Sequence, residues 1–79
     1  MKALKQRISK DIQPLKEMLS DRYDPSRKQA WLNFIKTTKN SILQNPDQYI
    51  DIEKLPAPET LSLLVNEIFD EYITWYTSQ

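Results

Sequence analysis

The chain has 79 residues, eleven basic and eleven acidic, for a net charge of zero, and it contains no glycine, cysteine or histidine. That length allows one domain, 1–79, whose single core supplies about 3–5 kcal/mol unless something reinforces it. Missing cysteine excludes disulfides and thiolate metal sites, missing histidine removes the commonest metal ligand and general base, and missing glycine excludes phosphate-cradling loops of the Rossmann or P-loop type.

The first predicted helix covers about 2–20. Leu4, Ile8, Ile12, Leu15 and Leu19 recur at spacings of four, four, three and four, which places them on one helical face. Pro14 lacks a backbone donor and is expected to kink this helix near Gln13, because the apolar stripe continues in phase on both sides. A polar turn, Ser20 to Tyr23, leads to Asp24-Pro25. Aspartate caps free amides and proline fits the first helical position, so a second helix is expected over 25–45. Its buried face reads as Trp31, Phe34, Ile35, Thr38 and Ile42, with Leu32 and Leu43 off the stripe among Arg27, Lys36 and Lys39.

Asn45-Pro46 closes that helix. Residues 46–57 read either as a short helix or as an extended stretch, in both cases an ordered connection that packs Ile50, Ile52 and Leu55 across the helices. The third helix is expected over 58–77. Leu61, Leu64, Val65, Ile68, Phe69, Tyr72, Ile73 and Tyr76 span an arc of about 180°, against about 100° for an ordinary surface helix. Such a helix is central in its bundle or contacts more than its own chain. The expected fold is therefore all-α: a small three-helix bundle with a Pro-kinked first helix and an ordered connection before the last helix.

Charge is split along the chain. Residues 1–45 carry ten Lys/Arg against four acids, a net +6, and residues 46–79 carry one Lys against seven acids, a net −6. The split can hold the fold together from within, or it can be a surface that a partner reads.

No constellation assembles a catalytic site. Glu67, Asp70 and Glu71 resemble paired carboxylates, but a di-iron bundle would need Glu-x-x-His partners that the chain lacks, and a solvated or ion-paired face explains them better. Ser9, Ser26, Ser41 and Ser62 have no histidine to activate them, which leaves a Ser–Lys dyad as the one nucleophilic arrangement that composition permits. No cofactor, metal or catalytic residue is expected.

The leading expectation is a small non-catalytic interaction module (an adaptor, assembly factor or regulator) that meets another protein through helix faces as a homodimer. Leu32, Lys36, Lys39, Leu43, Leu63, Trp75 and Tyr76 are its candidate contacts, on the ground that off-stripe leucines and terminal aromatics supply interface anchors. The alternative is a nucleic-acid-associated regulator using Lys2, Lys5, Arg7, Lys10, Arg27, Lys36 and Lys39 against phosphates. A membrane role fits poorly, since the polar side of the third helix is acidic and no apolar run reaches spanning length. With no cysteine and no apolar leader in MKALKQRISK, the expected location is the cytoplasm.

Overall fold

The computed structural model describes residues 2–51 and 55–78, without the side chain of Lys2. Every helix or strand assignment among them is helical, so the chain is all-α. There are four α-helices and two short 3₁₀ turns: α1 (Lys2–Asp11), α2 (Gln13–Asp21), α3 (Lys28–Gln44) and α4 (Pro58–Thr77), with the turns at Pro25–Arg27 and Pro46–Gln48.

Residues 2–20, expected to form one kinked helix, instead divide at Ile12, which takes φ −95° and ψ 8°. The amide of Ile12 still donates to Ile8 O at 3.1 Å, and the Ile12 carbonyl accepts from Leu15 and Lys16, so one helix closes as the next opens. Pro14 is the cause. It has no N–H for the Lys10 carbonyl, its ring crowds that carbonyl, and it sits comfortably in the first turn of α2. The apolar stripe survives the division, with Ile8, Ile12 and Leu19 all buried.

Asp24 caps the next segment. Its Oδ1 accepts from the Ser26 amide at 3.0 Å and from Ser26 Oγ at 2.7 Å. The first turn is 3₁₀, and α3 proper starts at Lys28. After Asn45 the connection makes its own 3₁₀ turn and buries Ile50. The Asp51 amide donates to Asp11 Oδ2 at 3.1 Å, tying the connection to the end of α1. Leu55 is half-buried against the core, and Ile52 lies outside the described residues.

α4 packs against α1 on one side and α3 on the other, which accounts for its wide apolar arc. Leu61, Leu64, Val65, Ile68 and Phe69 are all buried along it. α3 and α4 run antiparallel. Trp31, early in α3, stacks on Tyr72 late in α4, while Leu43, late in α3, shares a pocket with Leu61 early in α4. α2 packs on α3, but its backbone does not come close to α4. Aromatic side chains fill that gap, and the functional surface follows from it.

Candidate functional site

The gap between α2 and α4 is filled by rings from three segments. Tyr23 meets Trp31 edge-on at 4.7 Å between centroids, Trp31 lies 6.0 Å from Tyr72 and 5.4 Å from Tyr76, and Tyr23 lies 5.0 Å from Tyr76. Buried aromatic rings need partners for their polar atoms. Trp31 Nε1 donates to Leu19 O at 2.9 Å, Tyr72 Oη donates to Lys16 O at 2.9 Å, and Tyr23 Oη donates to Tyr76 O at 3.3 Å. Ser20 Oγ joins this network, 2.7 Å from Tyr72 Oη and 2.9 Å from Lys16 O. Burial pushes the Tyr72 phenol up to about 12, partly opposed by its hydrogen bond with Ser20.

Beside this aromatic layer lies a groove of about 450 Å³. Lys5, Gln6 and Ser9 of α1 form one wall, Ile68, Glu71, Tyr72, Trp75 and Tyr76 of α4 form the other, and Lys16 of α2 reaches in from the end. Its size falls in the range of ordinary ligand and peptide sites. The two lysines differ. Lys5 Nζ lies 2.5 Å from Glu71 Oε1 and 3.6 Å from Glu67 Oε2, and the hydrogen bond to Glu71 is the main reason its pKa is raised. Lys16 Nζ donates to Ser9 Oγ at 2.8 Å, and no carboxylate among the described residues lies within ion-pair distance of it. Burial lowers its pKa, with Glu71 acting weakly in the other direction. An ammonium has three donors, and this one gives a single hydrogen bond to a neutral hydroxyl.

Ser9 and Lys16 form the Ser–Lys pair that composition permitted, and in its charged form the lysine donates to Ser9 Oγ. The carboxylates Glu67 and Glu71 share the Lys5 ammonium, as an ion-paired face requires. Among the described residues no group of three or more acidic, histidine or cysteine side chains is placed to hold a metal ion.

The residues singled out from the sequence fall in different places. Trp75 and Tyr76 line the groove, Trp75 with 58% of its surface exposed. Leu32 and Leu43 are half-buried against the core and Leu63 is 63% exposed on the outer face of α4, so the three leucines do not make one patch. Phe34, expected in the core, is 44% exposed and lies under the Arg22 guanidinium. At about 100° per residue it stands some 80° from the centre of the buried stripe of α3.

The basic residues are dispersed too. Lys5 is committed to the acids of α4, Arg7 and Lys10 are exposed on α1, and the backbones of α1 and α3 do not come close. Lys36 is exposed and Lys39 half-buried, on the side of α3 away from Phe34, Arg27 is exposed in the turn before α3, and the Lys2 side chain lies outside the described residues. The sequence reading did not single out Lys16, and it named Ser9 only as a serine without an activating histidine and Tyr72 only as part of the apolar arc of the last helix. The seven-residue spacing of Ser9 and Lys16, two helical turns, was the available signal.

No family model matches the sequence, and neither a characterised protein nor a solved structure matches it. Among the described residues no helix is long and apolar enough to cross a membrane.

Proposed function

We propose that this chain is a small non-catalytic interaction module, acting in the cytoplasm, that receives a segment of another protein in the groove between α1, α2 and α4. The observation that carries this reading is Lys16: a half-buried ammonium in an aromatic-walled groove with no carboxylate within ion-pair distance among the described residues. The chemistry that completes such a site is a carboxylate next to an apolar side chain. The carboxylate takes the open donors of Lys16, while the apolar group lies against Ile68 and the exposed faces of Trp75 and Tyr76. Aromatic walls supply contact area at low entropic cost, and the charge pair sets orientation and association rate more than affinity.

Self-association draws on the same chemistry. The outer face of α4 presents exposed Leu63 near Glu59, Glu67 and Asp70, a carboxylate-and-leucine surface of the kind the groove accepts. Homodimers are therefore a second reading, and light scattering at high concentration decides between a single and a doubled mass. The nucleic-acid alternative would need several basic patches to act together, because its residues lie on different faces.

The test is affinity capture from the native cell by wild type, Lys16→Glu and, as a control on the outer face of α1, Arg7→Glu. The expected result is a defined set of proteins held by wild type and Arg7→Glu and lost from Lys16→Glu. Capture of the same set by all three overturns the groove as the docking site.

A further inference from the structure

A second concavity lies at the junction of α2 and α3, away from the groove, and it does not depend on the groove reading. Arg22, Asp24, Arg27, Ala30, Trp31 and Phe34 line a cleft of about 310 Å³. We propose that this cleft binds a phosphate monoester carried on an aromatic group.

Arg22 and Arg27 both line one small opening. Neither pairs with a carboxylate within ion-pair distance among the described residues. Asp24 is the only acid lining the cleft, and its Oδ1 is already occupied by the amide and hydroxyl of Ser26. It therefore lowers the positive charge of the cleft without closing either arginine. The Arg22 guanidinium carbon sits 5.0 Å from the centre of the Phe34 ring. Stacking on a ring holds a guanidinium flat and leaves its edge donors free, which is the pre-organised fork that phosphate oxygens fit. A dianion matches two guanidiniums better than a single carboxylate does. The remaining wall is apolar, with Ala30 and the exposed part of Phe34 giving the ester's ring a surface to lie against over the buried Trp31.

The experiment titrates the full chain with phenyl phosphate, inorganic phosphate and phenol, following backbone amide signals by NMR. Phenyl phosphate is expected to saturate, to move the amides of Ser26, Arg27 and Ala30, and to bind about tenfold more tightly than either half alone. Arg22→Gln and Arg27→Gln are each expected to weaken it about tenfold while helicity is unchanged, since both side chains are exposed. Phosphotyrosine amide carries the same aryl phosphate and is expected to saturate at the same amides, whereas adenosine monophosphate, with its phosphate on ribose, is expected to bind more weakly, and tighter binding by the nucleotide would overturn the aryl assignment. Inorganic phosphate binding as tightly as phenyl phosphate, both variants titrating like wild type, or shifts confined to the groove around Lys16 would each overturn the proposal.

Discussion

The two ends of the α3–α4 pair are packed on different plans. At one end, aliphatic side chains such as Ile42, Ile50 and Leu61 make up the buried core. At the other, Tyr23, Trp31, Tyr72 and Tyr76 fill a wider space, and α2 reaches α4 only through side chains. The aliphatic end is filled by side chains that carry no polar atoms. The aromatic end gives every buried polar tip an acceptor and leaves a groove along its flank. Close packing gives a small chain its stability. Wide packing by amphipathic rings gives it a surface with shape and charge.

Five variants probe this contrast. The largest effect is expected from Trp31→Ala, which removes the central ring of the aromatic end and its bond to Leu19 O. A loss of about 3–5 kcal/mol is expected in urea unfolding, enough to leave so small a domain largely unfolded. Ile42→Val at the aliphatic end is expected to cost only about 0.5–1.5 kcal/mol by the same measurement, and an equal loss would erase the contrast. Tyr72→Phe keeps the ring and removes the hydroxyl that bonds Lys16 O and Ser20. It is expected to cost about 1 kcal/mol, and a fully neutral result would show that the polar tips contribute nothing to the aromatic end.

The smallest effects belong to charges. Asp24 has its pKa lowered from 3.8 chiefly by its hydrogen bonds to Ser26, so its share of stability is present above that value and is lost as pH falls through the lower folded value. In Asp24→Ala this share is absent, so urea midpoints of wild type and variant are expected to converge as the solution is acidified. Lys16 behaves in the opposite sense. Burial lowers its pKa below 10.5, so the folded state disfavours the ammonium and its penalty is relieved only as pH rises through the folded pKa. Lys16→Met is accordingly expected to leave stability at neutral pH unchanged or raised. A clear loss would mean that the lysine serves the fold and not a partner.

Much of the architecture was legible because it is local. Four-residue and three-residue apolar spacings mark helical faces, and Asp24-Pro25 and Pro58 are start signals written in the chain itself. Pro14 was legible as a disturbance, but whether it kinks or divides depends on how tertiary packing treats Ile12. The groove was not legible, because it exists only where rings distant in sequence hold α2 away from α4. Phe34 shows the same limit. One residue before buried Ile35 it looked like core, and its position on the helix left it at the edge, under the arginine that follows α2.

The two tryptophans offer the most direct test, since Trp31 is sealed inside the aromatic end and Trp75 borders the groove. Their indole N–H signals can be followed by NMR while the captured partner is added. The account predicts that the Trp75 signal shifts with occupancy while the Trp31 signal, bonded to Leu19 O, stays in place. Saturating partner with an unmoved Trp75 would contradict it.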